Sequence, residues 1–327
     1  MIRFTWLQFR AQARVALAAL AVIALVLAVT GPHLAHLYDV SALATCRRHG
    51  ACGSLASNYN VLYKAGHVVL YAVPALIGMF WGAPLLTREL EAGTFRLAWT
   101  QTVTRGRWLA TKLGLIGLAA MVTAGLLSLM VTWWASPIER VSMNRLIPPN
   151  FAASGIAPIG YGLFAFVLGV TAGVLIRRTV PAIAVTLVVF AAVQLVMPQL
   201  VRPHLIAPVR TTAALNAGSA GLSMTIPQSG SPMTVVGPVS KPGTWVLSNQ
   251  TIGPAGHLFT GPATRACMTG SARACTAWLS SRHLRQVVTY QPASRYWAFQ
   301  WYETAIFVAL ALFLAGFCSW WVRRRLA

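Results

Sequence analysis

The residues able to do chemistry are few. The acids are Asp39, Glu89, Glu91, Glu139 and Glu303, and no others occur in 327 residues. Glu89 and Glu91 lie two apart in a polar loop beside Arg88, and Glu303 stands near one end of a long apolar run. The seven histidines have no metal-ligand spacing and no H-E-x-x-H occurs, which argues against a zinc hydrolase. Ala217 to Gly221 reads AGSAG, one residue short of a nucleophile elbow, with no acid partner nearby. The lysines Lys64, Lys112 and Lys241 are not preceded by the glycines of a phosphate-binding G-x-x-x-x-G-K-[ST] loop. The chain therefore holds no nucleotide site of that kind, no catalytic constellation and no cofactor or metal set of its own. Four of five cysteines form two close pairs, Cys46 with Cys52 and Cys267 with Cys275, while Cys318 lies in an apolar run. Each close pair closes a short loop, so local disulfides are expected, although four cysteines allow three pairings.

The elements that hold these residues are set by composition. Hydrophobic residues make up 57% of the chain and charged residues only 9%, with a mean hydropathy of +0.63. Soluble domains carry about 25% charged residues, and disordered chains are poor in apolar ones. The net charge of +21 reflects missing acids, and its bases are scattered singly between apolar runs. Nucleic-acid binding needs them gathered on one face, so no nucleic acid partner is expected.

A membrane-spanning helix takes about 20 apolar residues. Six runs answer to this: Val15–Thr30, Gly66–Leu86, Leu113–Trp134, Pro158–Ile176, Val180–Val201 and Trp301–Val322. The fold class is thus an all-α integral membrane protein, six transmembrane helices with a large irregular extracellular loop between spans 5 and 6. Arg3, Arg10 and Arg14 precede span 1. Arg88, Arg96, Arg105, Arg107 and Lys112 separate spans 2 and 3, Arg177 and Arg178 separate spans 4 and 5, and Arg323 to Arg325 follow span 6. By the positive-inside rule this side, with both termini, faces the cytoplasm of a multi-pass protein in the cytoplasmic membrane. The cysteine pairs then fall on the outer side, where disulfides persist. Aromatics at span ends, such as Trp133, Trp134, Trp297, Trp301, Trp320 and Trp321, suit the headgroup level. A cleaved signal peptide in place of span 1 would leave five spans, but its apolar core is long and no A-x-A site follows.

The domain reading is residues 1–14 as an interfacial amphipathic helix, 15–201 as spans 1–5 with a cytoplasmic loop 87–112, 202–300 as the extracellular loop domain, and 301–327 as span 6 with a basic tail. Within 202–300, β-like runs at Met233–Val236 and Thr244–Leu247 are followed by a helical stretch over Ala274–Val288. Tyr290 to Trp301 then suggests an interfacial or re-entrant approach to span 6. Asn249, Gln250 and Thr251 form a glycosylation sequon. Gly169 and Gly173 form a G-x-x-x-G pair in span 4, and Pro74 and Pro84 should kink span 2 or mark its end.

The loop Leu85–Lys112 reads LLTRELEAGTFRLAWTQTVTRGRWLATK. Span 2 should run on as helix to Ala92. Gly93 suits a residue past a helix end, and Thr94 a cap of the next helix. Phe95 and Trp99, four apart, share a face of a short helix from Phe95 to Thr102. Such aromatics either dock into a partner's groove or dip into the lipid interface.

This run, Arg88-Glu89-Leu90-Glu91-Ala92-Gly93-Thr94 followed by Thr100 to Arg105 and Lys112, resembles the first cytoplasmic loop of type-2 ATP-binding-cassette (ABC) exporter permeases, in an arginine-rich style similar to actinobacterial members. The motif covers about 30 residues and the topology the whole chain. Thr-Gln stands where many members have Pro, and the outer loop is longer than in most short bacterial members. The resemblance implies a dimer of six-span units, self-paired or paired with a paralogue, each docking a coupling helix into a separate ATPase subunit that binds the ATP. On this chain the helix would be Thr94 to Thr102, and the coupling set Glu89, Glu91, Gly93, Thr94, Phe95, Arg96, Trp99 and Arg105. The turn Arg177–Thr179 would make a lesser contact. Two other readings stay open. A secondary transporter would need an intramembrane ionisable group, for which Glu303 is the candidate unless it pairs with an outer arginine. A membrane anchor or regulator would use the outer loop to bind a partner.

Overall fold

The computed structural model describes residues 2–37, 60–91, 105–142, 145–215, 222–225, 234–239, 241, 243–260, 267 and 271–325. The chain divides into two compact units, residues 1–205 with 296–327, and residues 206–295.

The first unit is a helix bundle. Its elements are α1 (Ile2–Leu37), α2 (Asn60–Ile77), α3 (Ala83–Glu91), α4 (Arg105–Ser142), α5 (Pro148–Ala152), α6 (Ala157–Ile176), α7 (Thr179–Val196), α8 (Arg202–Leu205) and α10 (Tyr296–Arg325). Six helices are long and apolar enough to cross a membrane: Phe9–His33, Tyr63–Glu89, Gly106–Glu139, Ala157–Ile176, Thr179–Leu205 and Ala293–Arg324. They match the six expected runs, most of them extended by several residues at both ends. An apolar run marks only where the hydrocarbon core lies, and helical hydrogen bonding continues beyond it. The first fourteen residues are accordingly not a separate element: α1 runs unbroken from Ile2 through the first span. Likewise α4 continues through Pro137 to Ser142, into what reads as an irregular loop, and Glu139 there pairs with Arg145 at 2.6 Å.

The bundle is organised round α6. Of its most apolar stretch 72% is buried, against 17–22% for the first, fifth and sixth spans. The packing is close because glycines face each other. A Cβ added at Gly169 would strike the Gly78 carbonyl and lie 2.8 Å from the Ala83 nitrogen, and one at Gly173 would meet the Ala83 carbonyl at 2.7 Å. The G-x-x-x-G pair is thus spent inside the chain, on span 2.

At that crossing span 2 is not regular α-helix. Gly78–Gly82 forms a π-helical turn, with the Ala83 N–H returning to the Gly78 carbonyl. Pro84 follows directly and has no N–H to return to the carbonyl of Phe80. That carbonyl instead accepts from Nε2 of Gln12 on α1 at 3.2 Å. The expected disturbance at Pro84 is therefore a widened turn, and a side chain from a neighbouring helix satisfies the freed carbonyl. Met197–Val201 forms a second π-helical turn in the fifth span, with Pro198 inside it and Pro203 two residues beyond.

The second unit is more ordered than its punctuated sequence suggests. Strands β1 (Val209–Ala214), β5 (Arg285–Gln291) and β4 (Trp245–Ile252) make an antiparallel sheet in the order β1-β5-β4. A bulge lies between Val246 and Ser248. Strands β2 (Ser223–Thr225) and β3 (Thr234–Val236) pair separately. Helix α9 (Ala272–Ser281) buries Cys275 and Leu279 against Val235 and Leu284, with Cys267 and Trp278 packed alongside. The helical stretch expected over Ala274–Val288 is corrected: helix ends at Ser281, His283 takes a left-handed φ of 47°, and the rest is strand. Val287, Val288 and Tyr290 suit a central strand better than a helix, being β-branched or aromatic. Tyr290 accordingly belongs to this sheet, and a 3-10 turn at Ala293–Arg295 leads from β5 into α10. The sequon is occupied by the fold: Asn249 Nδ2 donates to the Gly237 carbonyl at 2.9 Å, and its Oδ1 accepts from Gln286. Cys267 and Cys275 form the expected disulfide. Cys46 and Cys52 lie outside the described residues.

Gly169→Ala should lower the melting temperature of the detergent-solubilised protein, the overpacked crossing costing about 1–3 kcal/mol. Gly114→Ala, where a new Cβ meets nothing within 4 Å, should leave it unchanged or slightly raised.

Candidate functional site

The acids and the basic span ends meet at one end of the bundle. Helix α3 carries Thr87, Arg88, Glu89 and Glu91 on its last turns. Positions 89 and 91 are about 200° apart on a helix, so the two carboxylates point to opposite sides. Glu89 reaches Lys112 on α4 and forms an ion pair with it. The lysine is only 1% exposed, and its ammonium lies 4.6 Å over the Trp108 ring. A buried ammonium in this setting needs its partner.

Glu91 reaches the other way, to the start of α7. Its Oε1 accepts from the Thr179 backbone N–H at 2.8 Å, and its Oε2 accepts from the Thr179 hydroxyl at 2.9 Å. The Arg178 side chain at the N-cap position makes no capping bond, so a carboxylate from a distant helix serves as cap. The positive end of the helix dipole favours that charge. Hydrogen bonds from the Thr179 backbone N–H, then from its hydroxyl, hold the Glu91 carboxyl below its usual range, with Arg178 and Arg88 adding to the effect. Charge at Glu91, and with it the cap, is therefore present at neutral pH and lost only as pH falls through the depressed value. The Thr179 hydroxyl also lies 3.2 Å from that of Thr87.

The turn that presents Thr179 is short. Arg177 closes α6 in the left-handed region at φ 56°, with its N–H on the Gly173 carbonyl at 3.0 Å. At the same end a Cβ on Gly106 would lie 2.7 Å from an Arg323 guanidinium nitrogen, so the basic tail of α10 covers the start of α4. Glu89 and Glu91 thus fasten the end of span 2 to spans 3 and 5 immediately before the segment read as the coupling helix.

Of the expected coupling set, Glu89 and Glu91 are brought together with Lys112 and Thr179, and Arg105 lies in α4. Gly93, Thr94, Phe95, Arg96 and Trp99 lie outside the described residues. Sequence reasoning named Thr179 only as the end of a lesser contact turn, without its partner Glu91, and missed Trp108. Thr179 follows two arginines at a helix start, a signal for a cap, but nothing local names its partner 88 residues away.

A second polar centre lies within the bundle. The Glu303 carboxylate is wholly buried and takes two bonds from Arg202, from Nε at 2.8 Å and from Nη2 at 2.9 Å. The Tyr161 hydroxyl donates to the same carboxylate, and the Arg202 guanidinium stacks 4.1 Å over the Phe151 ring. One turn earlier Gln300 accepts from the N–H groups of Ile156 and Ala157, at 3.0 and 2.8 Å, and donates to the carbonyls of Phe151 and Ser154. Gln300 thereby caps α6 and ties α5 to α10. The expected pairing of Glu303 with an arginine is what the fold shows, and the bidentate geometry assigns it to holding helix ends together. Among the described residues no group of three or more His, Cys, Asp or Glu is placed to hold a metal ion.

A family model described as ABC-2 membrane transporter related matches residues 17–202, more than half of the chain. No curated protein and no solved structure matches.

Glu303→Gln should destabilise the protein by about 3–5 kcal/mol, because it leaves Arg202 buried without its countercharge. Glu303→Leu combined with Arg202→Met should recover most of the melting temperature. A proton-relay role predicts the reverse, a well-folded Glu303→Gln protein that has lost transport.

Proposed function

The chain belongs to the ABC-2 membrane transporter related family and is a multi-pass membrane transport permease; from that premise we propose that it is the membrane subunit of an exporter driven by ATP hydrolysed on a separate ATPase subunit. The observation that supports this most is the double fastening at the end of span 2. A loop whose only duty is to join two spans needs no anchorage. Here the residues flanking segment 92–104 are bound on one side to α4 through Glu89 and Lys112, and on the other to α7 through Glu91 and Thr179. A displacement applied to that segment reaches spans 2, 3 and 5 together. Those ties suit a segment that receives force from a partner.

In this reading Thr94 to Thr102 is the coupling helix, Phe95 and Trp99 are its anchors, and Arg177–Thr179 is the lesser contact beside it. ATP closes two ATPase subunits, and the coupling helix carries that motion through Glu89 and Glu91 to the spans. A pair of permeases, identical or paralogous, completes the pathway, with both termini and the Glu91 end on the cytoplasmic side. The Arg202–Glu303 pair supports the same choice over a secondary transporter, since it engages the acid of the sixth span, the candidate for a proton relay.

The ATPase is the soluble Walker A protein that co-purifies with the tagged permease. Trp99→Ala and Glu91→Ala should each lower the amount recovered about tenfold, equivalent to about 1.4 kcal/mol, with membrane insertion unchanged. Glu91→Gln, which keeps one acceptor for Thr179, should lower it less. Recovery at wild-type level from both alanine variants would remove the coupling assignment.

A further inference from the structure

An apolar groove of about 480 Å³ opens between α1, span 2 and α4. Ala16, Ala19 and Ile23 line one wall, Val73 and Phe80 another, and Leu127 closes the far end. Gln12 and Thr123 are its only polar residues. It follows α1 from Ala11 to Ile23, about 18 Å at the helical rise, close to one leaflet of a hydrocarbon core about 30 Å thick. The small side chains of Ala11, Ala16 and Ala19 create it, since larger ones on this face would fill the space.

A second, polar recess of about 260 Å³ shares Gln12 and Trp81 with the groove. Thr5, Arg88 and Glu89 line it, where the apolar stretches beginning at Phe9 and ending at Glu89 give out. That is headgroup depth. Glu89 is neutralised by Lys112, whereas the Arg88 side chain is exposed, so the recess presents net positive charge. An apolar channel one leaflet deep, opening at headgroup level on an arginine, a glutamine and a threonine, has the chemistry of a phospholipid mould.

We propose that the joined groove and recess bind one anionic glycerophospholipid, an acyl chain along α1 and the phosphate against Arg88. The lipid covers apolar surface that the bundle leaves open and seats its charge beside the Glu89–Lys112 pair. This site does not depend on the ATPase reading, and its test contains no ATPase.

The full chain, purified in detergent and delipidated, is offered phosphatidylglycerol or phosphatidylcholine at equal concentration, and native mass spectrometry counts the first lipid retained. Wild type should hold phosphatidylglycerol about fivefold more than phosphatidylcholine, as one basic residue near an anionic headgroup supplies. Arg88→Gln should abolish that preference and keep retention of the zwitterionic lipid. Ala16→Phe and Ala19→Phe should lose both lipids. Leu17→Phe, on the exposed far side of α1, should behave as wild type. Equal retention of the two lipids by wild type, or undiminished retention by both groove-filling variants, overturns the proposal. So does an intermolecular disulfide formed by Ala19→Cys, which would show the groove to be covered by a second copy of the chain.

Discussion

The bundle depends on how closely span 2 can lie against α6. In lipid there is no hydrophobic drive to bring helices together, so contact area has to come from backbone approach. Gly78 and Gly82 on one side and Gly169 and Gly173 on the other supply it, to the point where added Cβ atoms would strike opposing backbone. The approach coincides with the π-helical turn at Gly78–Gly82, and the carbonyl at Phe80 is served by Gln12 from α1. One glycine-lined crossing thus places spans 1, 2 and 4 at once, and with them the residues of α3.

How α3 packs decides the chemistry of that face of the molecule. The chain has five acids, and each of the four carboxylates among the described residues serves a particular cation or cap. Glu89 meets a buried lysine, Glu91 meets a helix start, Glu139 meets Arg145, and Glu303 meets a buried arginine. The two pairs with a buried cation sit at the ends of spans, where water or headgroups can help to solvate them during insertion. Together they brace the bundle at both ends, and between them it is held by packing and by single hydrogen bonds such as those from Gln12 to the Phe80 carbonyl and from Cys318 to Thr171.

Much of this was legible in the chain. Six apolar runs, the arginine-rich short loops and the E-x-E-x-G-T pattern lead to a type-2 permease, and the family match over residues 17–202 agrees. The stretch after Cys275 misleads because Trp278 to Tyr290 mixes apolar and polar residues in a way that suits helix and strand alike, and only pairing with β1 and β4 separates them. The first fourteen residues read as a separate interfacial helix because charge density changes at Arg14. Charge does not break a helix, and α1 continues through it.

Residue types alone determined that this chain enters a membrane and how many of its runs are long enough to cross one, since apolar length is summed over a linear sequence. Which carboxylate serves which cation was decided only by the folded bundle. Glu91 and Thr179 are 88 positions apart, and Arg202 and Glu303 are 101 apart. Their meeting follows from the rotation of one helix against another, which the glycine crossing sets and which no local pattern encodes.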